Sequence, residues 1–153
     1  MFGLFKSASF ADPQLGELHR SSGMWRGTLL LGEARVPLIL SGSRTAPDPK
    51  ALNVARSISS DFPSWRSTIE RALFEHYSPY AEAVTAGEAE PPESRLPAID
   101  GPAAVWPHTT AELVQVTPLS GQLKVEIGYR VAWDEEYTLG AAASQWATGR
   151  TLR

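Results

Sequence analysis

The feature that most constrains the fold is a run of strictly alternating polar and apolar residues from 124 to 133. Every odd position from Val125 to Trp133 is apolar, and the even positions carry lysine, glutamate, glycine, arginine and alanine. Because side chains of an extended chain point to opposite faces in turn, this pattern is typical of a half-buried antiparallel strand. It predicts a sheet with one covered face, in which residues 111–118 pair with this strand through a turn at 118–121.

A second group of short strands is predicted between residues 15 and 41. Turn-forming clusters separate three stretches that suit a pleated surface, and an antiparallel meander is the simplest arrangement. Pro37 lies in the third stretch, and proline has no N–H for a sheet ladder. We therefore expect this third strand to lie at an edge of the sheet or to start beside Pro37.

The sequence pattern between residues 48 and 80 predicts helices. Asp48 followed by Pro49 is a favourable helix start, since the carboxylate caps a backbone N–H and the proline suits the first turn. We expect Pro63 to end this helix and open a second one, and Pro79 to kink or restart that one. The apolar positions at helical spacing are Leu52, Ala55, Ile58 and Phe62 in the first helix, and Trp65, Ile69, Leu73, His76 and Tyr80 in the second.

Runs of strands separated from runs of helices favour an α+β fold. We expect a mainly antiparallel sheet of about five to six strands, with two to three helices inserted after the third strand and packed on one face. The 153 residues fit a single domain, 1–153. Its core should span about 10–140, with a long irregular loop at 87–107 and a tail at 141–153 whose folding stays open.

Composition excludes several classes of function. The net charge of -3 is too small to direct the chain to nucleic acid or to an anionic membrane surface. The absence of cysteine removes disulfides, thiolate metal sites and a cysteine nucleophile. Neither a signal-peptide pattern nor a long apolar run is present, so we expect a cytoplasmic protein without a membrane partner. Phosphate-binding glycine motifs are also missing, and no cofactor is expected.

The charge is unevenly distributed along the chain. Residues 1–76 hold nine basic and seven acidic residues, a balance of +2, whereas residues 77–153 hold five and ten, a balance of -5. This asymmetry indicates an acidic surface suited to a basic protein partner. The alternative is a solvated acidic linker followed by an acidic turn.

The histidines offer two candidate sites but no metal site. His19, His76 and His108 lack the spacing of a helical zinc site. His76, among tyrosines near Pro79, could act as a base, or it could simply satisfy its nitrogens at the end of a helix. His108 follows Trp106 and a proline; this pair could line a cleft, or the indole could fill the core.

The sharpest local feature is the acidic segment at residues 133–137. Its carboxylates could ligate a hard cation, pair with arginines of a partner, or supply an acid and a base. Adjacent residues of an extended chain point in alternate directions, so at most two carboxylates converge. The structural alternative is a charged hairpin turn that keeps a sheet edge soluble. The segment reads Trp133, Asp134, Glu135, Glu136 and Tyr137.

These residues carry a resemblance to a family. The segment Trp133 to Gly140 resembles the C-terminal signature of small uncharacterised bacterial proteins classed as domains of unknown function. Residues 16–18, 25–27, 36–38 and 41–43 are similar to that family too, so the resemblance spans about residues 10–140. The family usually has histidine at the position of Tyr137, and the tail after 141 departs from its pattern. The resemblance implies a fold boundary but no activity.

Two functions follow as hypotheses, and whether the chain is an enzyme stays open. The first is a non-catalytic protein-binding module, regulatory or toxin-neutralising, that binds a basic partner through an acidic and aromatic surface. The alternative is a hydrolase-like enzyme, with or without a divalent metal, using the carboxylates at 134–136 and either His76 or His108 as the base. A structural subunit of an oligomer is a third possibility. The candidate site residues are Trp133, Asp134, Glu135, Glu136, Tyr137, Trp106, His108 and His76.

Overall fold

The computed structural model describes residues 8–87 and 96–142, and for residues 135–142 it describes the backbone only. Two short 3-10 turns, Pro102–Ala104 and Trp106–His108, precede the fifth strand. The seven strands and the helix, in chain order, are β1 (Ser9–Asp12), β2 (Gly16–Ser21), β3 (Met24–Leu31), β4 (Ala34–Leu40), α1 (Pro49–Thr85), β5 (Thr109–Leu119), β6 (Gln122–Val131) and β7 (Asp134–Ala142).

The seven strands form one sheet in the order of the chain, from β1 to β7. Neighbours β1 to β4 pair antiparallel, as do β6 and β7. β4 and β5 pair in parallel, with Leu38–Leu40 beside Val114–Val116. The sheet is therefore mixed, because α1 carries the chain back to the starting end of β4 before β5 begins.

The predicted α+β class, with five to six mainly antiparallel strands and two to three helices after the third strand, is wrong in four respects. The structure has seven strands and a mixed sheet, and the residues that it describes form a single α-helix, which follows the fourth strand. β1 was not predicted, because its four residues are too few to show the alternation of polar and apolar positions that is typical of a strand. The three predicted strands at 15–41 do form the expected meander, as β2, β3 and β4.

The helix continues through both prolines that were expected to interrupt it. Pro63 and Pro79 lie inside the 37-residue helix α1. Each removes one backbone N–H that would bond to the carbonyl four residues earlier. Buried residues on either side of Pro63, such as Phe62 and Ile69, keep the chain helical because packing of an apolar stripe outweighs one missing hydrogen bond.

The expectation that β4 is an edge strand is also wrong. β4 pairs with β3 along its length and with β5 at Leu38–Leu40. Pro37 comes directly before the stretch that pairs with β5. Proline in the strand therefore does not confine β4 to an edge of the sheet.

The alternating strand and the helix start are confirmed. Every odd residue from Val125 to Trp133 is at most 7% exposed. Asp48 Oδ1 accepts the backbone N–H of Lys50 at 3.0 Å, directly before α1 begins at Pro49. The turn predicted at 118–121 is also present, and Ser120 and Gly121 both have positive φ, as a tight two-residue hairpin requires.

The chain divides into two compact units, each made of two stretches. The first unit is Met1–Pro63 with Leu113–Val125, and the second is Ser64–Glu112 with Glu126–Arg153. In the first unit, Arg56 of α1 donates hydrogen bonds to the fully buried carboxylate of Asp12, at the end of β1. The second unit holds all eight candidate site residues. That the chain is a single domain stays a prediction.

Within its described residues the chain has no helix with the length and hydrophobicity that crossing a membrane requires.

Candidate functional site

Five side chains of the second unit form a cluster around His76. The helix α1 contributes His76, Tyr77 and Tyr80, the turn after β6 contributes Trp133, and the first residue of β7 contributes Asp134. The His76 ring centroid lies 5.5 Å from that of Tyr80 and 6.3 Å from that of Trp133, and Tyr77 meets Trp133 edge-on at 5.4 Å. We call these five residues the His76 cluster.

A hydrogen bond joins the two candidate residues at the centre of the cluster. Trp133 Nε1–H donates to His76 Nδ1 at 2.9 Å, and Trp133 is 1% exposed. An accepting Nδ1 carries no proton, so the proton of the neutral imidazole is on Nε2. Burial lowers the pKa of His76, and the negative charge of Asp134 acts in the opposite direction. The structure thus favours a neutral His76 that is held in one tautomer.

A second hydrogen bond lies at the surface of the cluster. The Tyr80 hydroxyl donates to Asp134 Oδ2 at 2.7 Å, and Tyr80 is 38% exposed. Tyr80 lies one helical turn after His76, which places both rings on the same side of α1. The bond orients an exposed aromatic ring next to a carboxylate.

Tyr77 anchors the segment before the 3-10 turns. Its hydroxyl donates to the carbonyl of Pro97 at 2.6 Å and accepts the backbone N–H of Ile99 at 3.2 Å. Tyr77 is buried, and its ring contacts Trp133. Residues 97–99 of the predicted loop are therefore held against α1 at Tyr77.

The acidic segment is not the turn that was predicted. The tight turn consists of Ala132 and Trp133, and Asp134 already begins β7. Val131 pairs with Asp134, whereas the preceding Arg130 pairs with Thr138. Residues 135–137 are therefore additional backbone on β7, as in a β-bulge, a feature often found next to functional sites. The side chains of Glu135, Glu136 and Tyr137 lie outside the described residues.

Trp106 belongs to a separate cluster in the same unit. Its Nε1–H donates to Glu70 Oε2 at 2.7 Å, and the guanidinium of Arg66 lies 4.6 Å from the centre of its ring. The ring also meets Tyr129 edge-on at 6.3 Å. Trp106 thus packs against the sheet and is held by two charged residues one helical turn apart.

Tyr129 of this cluster has a buried hydroxyl group without a hydrogen-bond partner among the described residues. The residue is 1% exposed, and burial raises the pKa of its hydroxyl far above the usual value, so the group stays protonated. A buried donor without a partner destabilises a fold by roughly 1–3 kcal/mol.

We expect Tyr129→Phe to raise the free energy of unfolding by about 1 kcal/mol, because it removes that group and keeps the ring. Urea denaturation followed by circular dichroism measures the change. Tyr77→Phe is the matched control: it removes a hydroxyl that makes two hydrogen bonds and should lower stability by about 1 kcal/mol. A loss of stability in Tyr129→Phe would contradict the expectation and would indicate a water or ligand at the hydroxyl.

His108 makes its visible contacts through the backbone. Its N–H donates to the carbonyl of Val105 at 2.9 Å, and its carbonyl accepts the N–H of Ala132, also at 2.9 Å. No contact of its imidazole with the His76 cluster is seen among the residues that the structure describes. The structure therefore joins His76, Trp133 and Asp134, and it places Trp106 and His108 apart from them in contacts of their own.

Residues that the sequence did not single out complete both clusters. Tyr80 stood on the predicted apolar face of the helix, but its contact with Asp134 depends on the position of β7. Arg66 and Glu70 have the spacing of neighbours on a helix, which indicates an ion pair between them. This spacing does not indicate that both residues contact the indole of Trp106. Of the described residues, no three His, Cys, Asp or Glu side chains lie close enough together to hold a metal ion.

An open depression of about 500 Å³ lies in the first unit, at the start of α1. Ser41, Ser43, Asp48 and three prolines are among its lining residues. None of the candidate site residues borders it. The depression therefore adds nothing to the candidate site.

The described residues form a mixed sheet and one long helix, and the hydrogen-bonded side chains of Tyr80 and Asp134 lie at the surface of the second unit. The chain belongs to a family described as a domain of unknown function (DUF6985), whose model matches residues 14–146. This confirms the family-level resemblance and much of its predicted span. Searches of the curated proteins and of the solved structures found no match.

Proposed function

We propose that this chain is a non-catalytic binding module, of a regulatory or toxin-neutralising type, that recognises a basic protein in a bacterial cytoplasm. The observation that carries the proposal is the Tyr80–Asp134 pair. Its 2.7 Å hydrogen bond holds an aromatic ring, 38% exposed, beside a carboxylate at the surface. Rings and carboxylates held in this way suit the side chains of arginine and lysine.

Charge supports the same proposal. The acidic surplus of the chain lies in residues 77–153, and Asp134 is followed by two further glutamates on β7. The additional backbone at 135–137 lies on the last strand of the sheet order. A cluster of acidic residues next to a fixed aromatic ring would attract a basic partner and orient it.

The arrangement of His76 favours binding over hydrolysis. A general base needs a lone pair directed at the substrate proton, and the Nδ1 lone pair of His76 accepts the Trp133 N–H. The other nitrogen carries the proton in this tautomer. His76, one of the two histidines that the hydrolase alternative could use as its base, is thus engaged in a structural hydrogen bond.

The test compares capture of basic proteins by two charge-reversed variants. Asp134→Lys with Glu136→Lys changes the acidic surface, and Glu17→Lys with Glu33→Lys makes the same change of net charge at exposed positions of the first unit. Each immobilised protein is exposed to lysate of the source cells, and retained proteins are identified by mass spectrometry and eluted with salt. We expect the first variant to bind the retained basic protein at least about tenfold more weakly, and the control to bind normally.

Equal capture by both variants, or equal loss in both, would contradict the proposal, because the effect would then not depend on this surface. Thermal unfolding of each variant checks that the fold is intact. Tyr80→Phe separates charge from orientation, because it keeps the ring and the carboxylate and removes only the hydrogen bond between them.

A further inference from the structure

The bond between Trp133 and His76 can exist in only one protonation state. Trp133 Nε1–H is a donor and cannot accept, so His76 Nδ1 must offer a lone pair. Protonation places an N–H on both ring nitrogens. Turning the ring over does not restore an acceptor, because the imidazolium has none on either side. A protonated His76 therefore leaves the buried indole N–H without its partner.

The structure also provides a new partner for the protonated ring. Asp134 is the charged group that acts on His76, and its attraction favours the imidazolium. The other titratable side chains of the cluster are the hydroxyls of Tyr77 and Tyr80, which bond to Pro97 O and to Asp134. The segment at 97–99 reaches the cluster with backbone groups. Asp134 is thus the one described anion in the cluster, and Tyr80 occupies one of its oxygens.

We propose that the Trp133–His76 hydrogen bond is a proton-sensitive latch, which exchanges Trp133 for Asp134 as the partner of His76 when the ring is protonated. In the closed state, Trp133 bonds to His76 and Tyr80 bonds to Asp134. In the open state, His76 bonds to Asp134, competes with Tyr80 and releases the indole. The latch itself rests on this geometry alone; its effect on partner binding rests on the proposed function.

The direction of the pH response follows from the environment of His76. Burial lowers its pKa from the ordinary value of 6.5, and the charge of Asp134 limits the decrease. The contribution of the neutral ring to stability is fully present above pH 6.5 and is lost as the pH falls through the lowered pKa. The latch is therefore closed at neutral pH and opens as the pH falls through the lowered pKa of His76.

Nuclear magnetic resonance of the free protein tests the latch without any partner. The His76 ring protons and the Trp133 indole N–H signal are followed from about pH 8 to pH 4.5, a range that spans histidine ionisation. We expect both signals to change with one shared midpoint. His76→Asn is the locked control, because its Oδ1 replaces Nδ1 as an acceptor that does not titrate, so the indole signal should stay constant.

Two variants should shift the His76 midpoint in opposite directions. Trp133→Phe removes the donor that opposes protonation and should raise the midpoint by roughly one pH unit, whereas Asp134→Asn removes the favourable charge and should lower it. An indole signal that does not follow His76, or two shifts of the same sign, would overturn the latch. Trp106→Phe, in the separate cluster, should leave the midpoint unchanged.

Partner capture distinguishes the two proposals. If both hold, wild-type capture should fall from a pH above the His76 midpoint found by magnetic resonance to a pH below it, while His76→Asn keeps its capture at both values. A latch seen by magnetic resonance with no capture of a basic protein at either pH would overturn the proposed function and leave the latch standing. Capture that falls equally in wild type and His76→Asn would overturn the link between them.

Discussion

Asp12→Ala is expected to lower the free energy of unfolding by about 3–4 kcal/mol. The Asp12 carboxylate is fully buried and accepts hydrogen bonds from Arg56 and from the backbone N–H groups of Gln14 and Leu15. Alanine would leave the two N–H groups and the guanidinium without this partner. Because the Arg56 side chain is 37% exposed, water can replace some of the lost interaction, which keeps the effect below the upper limit for buried pairs.

Two comparisons separate charge from hydrogen bonding. Asp12→Asn keeps an acceptor for the backbone N–H groups and should lose about half as much stability, while Arg56→Met leaves a buried carboxylate unpaired and should lose about as much as Asp12→Ala. Urea denaturation at neutral pH measures all three. A loss below about 1 kcal/mol in Asp12→Ala would show that the pair contributes little to stability.

The pair of Asp12 and Arg56 also makes the stability of the protein depend on pH in acid solution. The hydrogen bond from Arg56 is the main cause that holds the pKa of Asp12 below its ordinary value of 3.8, and burial acts against it. The contribution to stability is therefore complete above pH 3.8 and is lost as the pH falls through the lowered pKa. Asp12→Asn should abolish this loss of stability in acid, because asparagine does not titrate.

Gly42→Ala is expected to destabilise the protein by about 3 kcal/mol. A Cβ at Gly42 would lie 2.6 Å from Ala46 O, 2.7 Å from Pro47 Cα and 2.7 Å from Trp25 Cδ1. Two of these atoms are backbone, and Trp25 is fully buried with its Nε1–H bonded to Ser43 O at 2.9 Å. Because Trp25 is held by its burial and this hydrogen bond, the loop that contains Ala46 and Pro47 must shift.

Gly101→Ala is the matched control for this substitution. Gly101 has an extended backbone, with φ of -173°, and a Cβ there would meet nothing within 4 Å. Alanine should be neutral or stabilise by a few tenths of a kcal/mol, because it restricts the unfolded chain. Thermal and urea unfolding of both variants test the contrast, and equal stabilities would show that the loop at Gly42 adapts without strain.

The elements of the fold that were predictable are those with a repeating local signal. The alternation from Val125 to Trp133 identified β6 and its buried face, and Asp48 before Pro49 identified the start of α1. Pro63 gave a misleading signal, since proline disfavours a helix locally while buried neighbours on the same helix outweigh it. Local propensity cannot report how much apolar surface a continuous helix will bury.

The candidate site was predictable by residue type and only partly by arrangement. His76, Trp133 and Asp134 were identified from the sequence. Their hydrogen bonds, however, join residues that are far apart in the chain: Tyr80 and Asp134 are 54 positions apart, and His76 and Trp133 are 57 positions apart. The shift of the turn to Ala132 and Trp133 depends on the pairing between β6 and β7, which includes an irregular register. Hydrogen bonds between distant segments depend on how the strands pair. The sequence could therefore identify the candidate residues but not the residues to which they bond.

The parallel pairing of β4 with β5 has a consequence for the order of folding. The meander from β1 to β4 is built from neighbouring segments and can form early, whereas Leu38–Leu40 must wait for Val114–Val116, which follow the whole of α1. During synthesis, one edge of β4 is therefore open to pairing with other chains until β5 has left the ribosome.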